Sequence, residues 1–364
     1  MRKDVSRKAP SRKSLDKSAY GGIINHPADL HGGKETGSTF KNQSLGSGND
    51  RDGKLNRKFK SLPGPCPGKA FELSSPIDTE KIKTGFIGAG TVGTALAVRL
   101  RGKGYPVVAV ASRSRSSADR LAESVPGCAS YEDKQSVADH AELVFITTPD
   151  DAIGLVASEL RWHAGQSVLH CSGADSLGVL QPAREAGAEV GGFHPLQTFA
   201  SVKHAIENLP NSTFGLEADG RLLELLKQMA TDLDGRWVQL RPGDKVLYHA
   251  AAVLACNYLV TLAKLATDLW KVFGVSTPEA TAALMPLLRG TLNNLENVGL
   301  PGCLTGPIAR GDLGTIRKHL DALEKSAPAL LSTYLELGRQ TIPIALDKGK
   351  IDRNQADEML KLLA

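Results

Sequence analysis

The sequence has few of the residues that mark a secreted, metal-binding or membrane protein. Its five cysteines, at positions 66, 128, 171, 256 and 303, are odd in number and form no CxxC pair. This argues against both a disulfide framework and a zinc site. No apolar run is expected to reach the length of a membrane span, and the N-terminus lacks the apolar core of a secretory signal. The composition favours a protein of the reducing cytoplasm that holds no metal.

A net positive charge is also lacking outside the N-terminal tail. Residues 1–60 contain 14 Lys and Arg against 6 Asp and Glu, so they carry more than the net charge of +5 of the whole chain. Residues 1–80 are polar and lack apolar periodicity, which predicts a disordered basic tail. An RNA-binding tail and an organelle-targeting tail are the alternatives, and the second is weak because Asp4, Asp16 and Asp29 spoil an acid-poor targeting peptide. The remaining chain shows no basic surface for nucleic acid.

From residue 81 onward, short β-branched runs alternate with helical patterns. The runs are KTGFIGAG, YPVVAVAS, AELVFITT, QSVLHCSG and GAEVGGFH, followed by two shorter strand candidates at 212–218 and 236–242. Strands that alternate with helices at this spacing predict βαβ units and a parallel sheet. The chain after residue 241 has helical patterns only, and Ser276, Pro278 and Glu279 form a helix-start signature. The predicted domains are therefore a tail (1–80), a Rossmann-type α/β domain with a doubly wound, mostly parallel sheet (81–240) and an all-helical domain (241–364).

A glycine motif lies between the first predicted strand and helix. Gly88-x-Gly90-x-x-Gly93 has the spacing of a dinucleotide-binding loop. Gly88 would make the tight turn, Gly90 would let backbone N–H groups approach a pyrophosphate, and Gly93 would let the helix pack closely on the sheet. The motif predicts a dinucleotide site that includes the intervening Ala89, Thr91 and Val92.

The second predicted strand ends without the acidic residue that would bind the ribose hydroxyls of NAD. At that point, about 20 residues beyond the glycines, the chain has Ser112, Arg113, Ser114 and Arg115. Hydroxyls and guanidinium groups suit a 2′-phosphate, so we expect NADP rather than NAD as the cofactor. The loop "TTPD" resembles the strand-end loop that lines the nicotinamide ribose in many enzymes that bind NAD or NADP. It contributes Thr147, Thr148 and Pro149.

Ser172 and His194 form a first candidate catalytic pair, because each follows a predicted strand at the edge of the sheet where ligands bind. Pro195 keeps His194 out of helical geometry, and a histidine at the rim can polarise or protonate an oxygen near neutral pH. A histidine that merely caps a strand end is the alternative. We expect the preceding His170 and Cys171 to be buried strand residues.

A second candidate group lies on the first long helix after the sheet. Lys245 and His249 are four residues apart and share a face, whereas Asn257 is eight residues further and drifts about 80° from His249. A row of cationic and amide side chains on an otherwise apolar, Ala-rich helix is hard to explain by packing alone. Such a row would face a substrate if the helix lines the cleft. Lys245 as an ordinary residue near a helix start, and Asn257 as a core amide, are the alternatives.

The stretch CLTGPIARGD interrupts the helical domain. An arginine exposed at a broken helix suits bidentate recognition of a carboxylate, although a structural turn with an ion pair would have the same sequence. The predicted substrate-binding residues are Arg310, Thr305 and, after the His-Pro pair, Gln197.

The order of these motifs resembles an oxidoreductase family that joins a Rossmann-like domain to an all-helical, 6-phosphogluconate-dehydrogenase-like C-terminal domain. The motifs are the glycine fingerprint, TTPD, HCSG, GFHPLQTF, KVLYHAAAVLACNYL and LTGPIARGD. The family is similar to pyrroline-5-carboxylate reductases, prephenate dehydrogenases, ketopantoate reductases and 3-hydroxyacid dehydrogenases. The resemblance covers residues 81–364 and implies an NADP-binding fold whose helical half forms a homodimer.

The resemblance also implies residue roles. Ser172 and His194 resemble the serine and the His-Pro histidine that contact the substrate in prephenate dehydrogenases. Lys245 stands where 3-hydroxyacid dehydrogenases and ketopantoate reductases often place a catalytic lysine, but the usual asparagine four residues on is His249 here. Asn257 would then supply the missing amide.

We therefore expect an NADP-dependent reductase or dehydrogenase of a small carboxylate-bearing carbonyl or hydroxy compound, ketopantoate among the candidates. Lys245 or His249 would supply the proton, His194 and Ser172 would orient the oxygen, and Arg310 would anchor the carboxylate. An imine reductase of the pyrroline-5-carboxylate type and a non-catalytic NADP-binding sensor are the alternatives. No membrane or nucleic-acid partner is expected.

Overall fold

The computed structural model describes residues 82–364, and the predicted tail at 1–80 lies outside them. Within the described range the chain first alternates strands and helices and then continues as helices only. The last strand ends at Gln239 and the next helix begins at Asp244. The predicted fold class, a Rossmann-like α/β sheet followed by a helical region, is confirmed.

Eight strands form one sheet in the order β3-β2-β1-β4-β5-β6-β7-β8. All neighbouring pairs are parallel except β6 and β7, which are antiparallel. The chain fills one side of β1 with β2 and β3 and then crosses to β4, so the strand order reverses between β1 and β4, where α/β sheets of this kind bind ligands. The strands are Thr84–Ile87 (β1), Val107–Ala111 (β2), Ala129–Tyr131 (β3), Leu143–Ile146 (β4), Ser167–His170 (β5), Glu189–Leu196 (β6), Thr213–Glu217 (β7) and Arg236–Gln239 (β8).

Thirteen α-helices accompany the sheet in the described residues, seven before β8 and six after it. They are Thr91–Gly102 (α1), Arg115–Ser124 (α2), Lys134–His140 (α3), Asp150–Glu159 (α4), Gln181–Glu185 (α5), Val202–Asn208 (α6), Gly220–Asp232 (α7), Asp244–Ala255 (α8), Asn257–Lys271 (α9), Thr277–Asn297 (α10), Leu313–Ser326 (α11), Pro328–Asp347 (α12) and Arg353–Leu362 (α13). Short 3₁₀ helices span Leu177–Leu180 and Ile308–Arg310.

A row of phenylalanines crosses one face of the sheet. Phe86 of β1 stacks on Phe145 of β4 with ring centroids 5.0 Å apart, and Phe193 of β6 stacks on Phe214 of β7 at 4.7 Å. Phe145 meets Phe193 edge-on at 5.9 Å. The opposite face has its own cluster of buried aliphatic residues. Because both faces are covered, the central strands are mostly apolar, as the sequence runs indicated.

Strand β6 is longer than the sequence predicts. We expected it to end at His194, but it continues through Pro195 to Leu196. Its pairing with β5 stops at Gly192, and residues 193–196 pair with β7 alone. Pro195 therefore lies where β6 has a neighbour on one side only, and a strand tolerates proline at such an edge.

Two further features of the chain differ from the expectations. The three-residue edge strand β3 was not predicted, because its sequence, Ala-Ser-Tyr, is too short for an alternating pattern. The long helix expected from residue 245 onward is interrupted at Cys256 and continues as α9. The capping box at the start of α10 is confirmed, since Ser276 and Glu279 bond to each other's backbone N–H groups.

The expectation that no apolar run reaches membrane length is wrong for α8 and α9. Taken together, Asp244–Lys271 are long and apolar enough to cross a membrane, because they contain an 18-residue window with a mean hydropathy of 1.6. Length and composition alone make this weak evidence. The beginning of α8 instead packs against the sheet, where Lys245 is 2% exposed.

Candidate functional site

The glycine loop after β1 is shaped by close contacts with the loop after β4. Gly88 has a φ of +112°, and a Cβ there would lie 2.7 Å from the carbonyl carbon of Thr147. A Cβ on Gly93 would lie 2.4 Å from the carbonyl oxygen of Gly88, which also accepts a 2.6 Å hydrogen bond from Thr147 Oγ1. These two glycines are required by packing, since any side chain would force the loops apart.

Gly90 is different, because a Cβ there would meet no atom within 4 Å. This glycine is the N-cap of α1 and makes no side-chain cap bond, so the first turn of the helix stays accessible. Open space beside the N-terminus of a twelve-residue helix is what a bound pyrophosphate requires. The loop therefore has the fit of a dinucleotide site.

The loop after β4 contains a hydroxyl without a partner. Thr148 Oγ1 is buried and makes no hydrogen bond within the described chain. A buried polar atom normally has a partner, and Thr148 adjoins the glycine loop, since its amide nitrogen is 2.9 Å from a Cβ built on Gly88. A polar group of a bound ligand would satisfy this hydroxyl. Pro149 is the N-cap of α4 and completes the loop.

The two arginines after β2 differ in whether their side chains are already bonded within the protein. Arg115 donates to Asp119 Oδ1 at 2.9 Å and to Ser130 Oγ at 3.3 Å. Arg113 is exposed and takes part in no ion pair or hydrogen bond in the part of the chain that the structure describes. Ser112 is partly buried, and Ser114 bonds to the hydroxyls of Ser116 and Ser117. Arg113 is thus the side chain free to bind an anion here.

Three glycines in neighbouring segments of the sheet make room for side chains of α8. A Cβ on Gly192 of β6 would lie 3.0 Å from Lys245 Nζ, and one on Gly215 of β7 would lie 2.8 Å from the Tyr248 hydroxyl. A Cβ on Gly173, after β5, would lie 2.5 Å from His249 Nδ1. Residues i, i+3 and i+4 share one helix face. The helix can therefore press this face into the sheet because the glycines lack side chains.

His194, Tyr248 and His249 form a cluster at this contact. Tyr248 Oη and His194 Nδ1 are 2.9 Å apart, and the two imidazole rings lie edge to face with centroids 6.0 Å apart. A Cβ on Gly173 would also lie 2.8 Å from His194 Nε2, so Nε2 of one ring and Nδ1 of the other border the same small space. His249 Nδ1 is buried without a hydrogen-bond partner among the described residues.

Burial fixes the protonation states of two of these groups. It lowers the pKa of His194 to about 4, with His249 and Lys245 acting in the same direction, so the ring is neutral at pH 7. Burial raises the pKa of Tyr248 to about 12, so its hydroxyl keeps its proton. If that hydroxyl donates to Nδ1, the remaining proton of His194 is on Nε2 and points at the space beside Gly173.

Lys245 is buried beneath this cluster, in contact with two other titratable groups. Its Nζ lies 3.8 Å from Glu217 Oε2 and 3.4 Å from His170 Nε2. Burial lowers the pKa of Lys245 and raises that of Glu217, and the attraction between the two opposes both shifts. Burial also lowers the pKa of His170 to about 3. His170 is fully buried, as expected, and Lys245 faces these groups rather than solvent.

The hydroxyl of Ser172 forms hydrogen bonds that stabilise the loop after β5. Its hydroxyl donates to Asp150 Oδ2 at 2.8 Å and accepts from the N–H groups of Ala174 and Asp175 at 3.3 and 3.0 Å. The side chain is buried. Ser172 therefore shapes the floor of the site, and its predicted role in orienting a substrate oxygen stays a prediction.

The structure brings some predicted site residues together and leaves others apart. His194, His249, Lys245 and Ser172 meet around the ends of β5 and β6. Asn257 is exposed on α9, and its side chain makes no hydrogen bond within residues 82–364. The Gln197 side chain donates to the carbonyl oxygen of Asn208, at the end of α6, at 3.2 Å. The remaining two, Arg310 and Thr305, line a separate cleft.

Sequence reasoning missed Tyr248 and Glu217. Tyr248 lies three residues after Lys245 and one before His249, so the helical periodicity that singled out those two also places it on their face. Glu217 is an acid at the end of a short apolar strand. A charged residue in that position was a signal of a buried partner, and Lys245 is that partner.

Comparison with known proteins agrees with this architecture. A family model described as a Rossmann-like domain matches residues 69–195, and a family model described as a domain of unknown function, DUF2520, matches residues 212–341. The chain thus combines a Rossmann-like domain with a DUF2520 domain. No curated protein matches the chain.

Several solved structures resemble the chain. An NADP oxidoreductase, so named, from Bacteroides fragilis is 26% identical, with a TM-score of 0.58, over 73% of this chain and 99% of its own. A Thermotoga maritima protein is 27% identical, with a TM-score of 0.55, over 76% of this chain and 98% of its own. A reductive aminase from Aspergillus terreus, solved with NADPH and ethyl levulinate, is 18% identical, with a TM-score of 0.49, over 78% of this chain and 92% of its own. The first two matches support the fold over most of the described chain.

Proposed function

We propose that the chain is an NADP(H)-dependent oxidoreductase that reduces a carbonyl or imine group of a small substrate beside Gly173. The observation that carries this proposal is the pair of imidazole nitrogens, His194 Nε2 and His249 Nδ1, that border one space at the end of β5. In sheets of this class the ligand lies at these strand ends. The glycine loop after β1 lies at the same edge, so cofactor and proton-handling groups serve one cleft.

The cofactor supplies the hydride when it is bound. The glycine loop and the start of α1 hold its pyrophosphate, Thr148 bonds to its polar groups near the cleft, and Arg113 binds the 2′-phosphate. The match to an NADP oxidoreductase from Bacteroides fragilis supports the choice of cofactor. The absence of an acid among residues 112–115 supports it independently.

His194 and His249 have different roles in this proposal. His194 is neutral at pH 7, because burial depresses its pKa to about 4. It therefore orients the substrate through its Nε2–H and is itself held by Tyr248. His249 supplies the proton to the reduced oxygen or nitrogen through Nδ1, the buried atom without a protein partner. Lys245 is 2% exposed, and its charge influences the protonation of the cluster from a buried position.

A substrate screen that follows NADPH absorbance tests the function. Its panel contains ketopantoate and other 2-keto acids, uncharged aldehydes and ketones, and pyrroline-5-carboxylate as a cyclic imine. Turnover of a 2-keto acid or an imine supports the proposal and selects between the two substrate classes. A chain that binds NADPH but turns over no member of the panel would favour the non-catalytic sensor. The carboxylate on the substrate stays a prediction, because Arg310 lies outside the cluster.

Replacing Arg113 with Gln is expected to weaken NADPH binding about 10- to 100-fold while NADH binding stays unchanged, because a charge-assisted contact to the 2′-phosphate is lost. Fluorescence titration of both nucleotides measures the change. Arg120→Gln on α2 is the matched control, since Arg120 is also exposed and its side chain bonds only to Ser117 in the described residues. Equal losses for NADPH and NADH, or equal losses in both variants, would contradict the assignment.

We also propose that the helical region forms a homodimer. Large apolar side chains on α8–α10 and the turns that follow are more than 60% exposed: Val246, Leu247, Leu254, Val260, Phe273, Leu287, Val298 and Leu300. At about 100 Å² each, they expose on the order of 800 Å², which is one partner's share of a standard interface. A monomer rarely exposes an apolar area of that size as one patch. A second copy, with the same helices, would cover it.

The double variant Val260→Glu/Leu287→Glu is expected to convert the dimer to a monomer, because it places a carboxylate in the apolar contact on each of two helices. Analytical ultracentrifugation of the full chain measures the mass. Leu155→Glu on α4, where Leu155 is 61% exposed in the Rossmann half, is the control and should remain dimeric. A monomeric wild-type chain, or a dimer that survives the double substitution, would overturn the proposal.

A further inference from the structure

The helical region contains a cleft with an unbalanced positive charge. It has a volume of about 490 Å³ and lies between the 3₁₀ helix Ile308–Arg310 and the end of α12. Its lining consists of Leu304, Thr305, Gly306, Ala309, Arg310, Lys348 and Lys350. Three of these residues are cationic and none is acidic. We call this site the basic cleft.

The charge of Arg310 is only weakly compensated. Its nearest acidic group is Asp312, with Arg310 Nη2 and Asp312 Oδ2 4.0 Å apart, which is beyond hydrogen-bond distance. The carboxylate of Asp312 is already occupied, because Oδ1 accepts from the Thr315 N–H at 2.9 Å and Oδ2 from the Thr315 hydroxyl at 2.7 Å. The guanidinium of Arg310 therefore keeps its donors free for a ligand.

The two lysines differ in how firmly they are held. Lys348 Nζ donates to the carbonyl oxygens of Gly302 and Leu304 at 2.8 and 2.6 Å. These bonds fix the ammonium group at the rim and leave its third N–H available. Lys350 is exposed and forms no ion pair within the described chain. A cation that is already fixed loses little conformational freedom when an anion binds.

A second cleft in the helical region, between α11 and α13, provides a contrast. It has a volume of about 390 Å³ and is lined by Leu313, Arg317, Glu358, Lys361 and Leu362. There a carboxylate accompanies the two cationic side chains. The basic cleft lacks such an internal counter-charge, so the difference between the two is one of ligand chemistry rather than of general surface charge.

We propose that the basic cleft binds a small organic dianion, such as a phosphate monoester or a dicarboxylate. Arg310 and Lys350 pair with the negative groups, Lys348 and the Thr305 hydroxyl add donors, and Leu304 and Ala309 contact the carbon skeleton. The volume is in the range of small-molecule sites, about 300–1,000 Å³. None of these residues belongs to the glycine loop or to the cluster around His194, so the site is additional to the proposed reductase function.

Isothermal titration calorimetry of the full chain with inorganic phosphate and with succinate tests this site. Arg310→Gln/Lys350→Gln is compared with Arg317→Gln/Lys361→Gln, which removes the same charge from the second cleft. We expect the wild type and the second variant to bind at least one probe with equal affinity. The first variant should bind it about tenfold more weakly or worse, as expected for the loss of charge-assisted bonds. NADPH affinity should be equal in all three proteins, and circular dichroism verifies that each is folded.

Three results would overturn the proposal. The first is that neither probe binds the wild type. The second is an equal loss of affinity in both variants, as a general effect of net charge would produce. The third is displacement of the probe by NADP⁺, which would place the anion in the dinucleotide site instead. The preference between phosphate and succinate distinguishes a phosphate monoester from a dicarboxylate as the class of ligand.

Discussion

Replacing His249 with Ala is expected to lower kcat about 10²- to 10⁴-fold, the range for loss of a positioned proton donor. Its Nδ1 borders the space beside Gly173 and has no hydrogen-bond partner in the described chain. NADPH affinity should stay unchanged, because the glycine loop and Arg113 do not contact this ring. Steady-state kinetics with the best substrate of the screen, together with nucleotide titration, measure both quantities.

His204→Ala is the control for that experiment. His204 is exposed at the start of α6 and bonds to Ser201, so its loss should leave kcat within about twofold, in line with a surface substitution. A kcat of His249→Ala within a few fold of the wild type would remove His249 from the mechanism. The proton would then have to come from another group, such as Tyr248.

Replacing Lys245 with Met is expected to cost about 3–5 kcal/mol of unfolding free energy at pH 7, because Glu217 is left as a buried charge without its partner. Both side chains are buried. The double variant Lys245→Met/Glu217→Gln should regain most of the loss, since neither charge then remains. Urea denaturation followed by circular dichroism measures the four proteins of this double-mutant cycle.

The loss in Lys245→Met should depend on pH in a defined direction. Burial already raises the pKa of Glu217 above its ordinary value of 4.5, and removal of the ammonium group raises it further. A carboxyl whose pKa is higher in the folded state favours folding below its unfolded pKa and loses that contribution as the pH rises through its folded pKa. The variant should therefore be least stable at neutral and alkaline pH and recover toward pH 4–5.

Lys264→Met is the matched control for Lys245. Lys264 pairs with Asp268 four residues on, at the exposed surface of α9. An exposed pair of this kind contributes little to stability, because water screens it. Similar losses in the two lysine variants, or a loss in Lys245→Met that does not change with pH, would contradict the assignment of a buried ion pair.

The sequence predicted those parts of the fold that depend on local patterns. Apolar runs marked seven of the eight strands, and the spacing Gly88-x-Gly90-x-x-Gly93 marked the loop that the structure places at the reversal of strand order. Edge strand β3 escaped, because three residues carry no periodicity. The end of β6 was misplaced for a tertiary reason: Pro195 is tolerated where β5 has already ended.

The site was predictable in part for the same reason. The motifs singled out His194 and His249 in two separate candidate groups, but they did not reveal that Lys245 would be buried or that Ser172 would be bound to Asp150. Those facts depend on contacts between segments 22 to 75 residues apart in the chain. Such contacts leave no periodic trace in one sequence. The separation of Arg310 from the cluster likewise depends on the packing of distant helices.

The three glycines beneath α8 bear on how this protein can be divided. A fragment that stops after β8 would keep the nucleotide loop but would lack Tyr248 and His249, and Gly173, Gly192 and Gly215 would then face water as a bare groove. Glu217 would lose the lysine that neutralises it. The boundary between the sheet and the helices thus runs through the cluster of His194, Tyr248 and His249. A cut there would separate the proposed nucleotide site from the proposed proton donor.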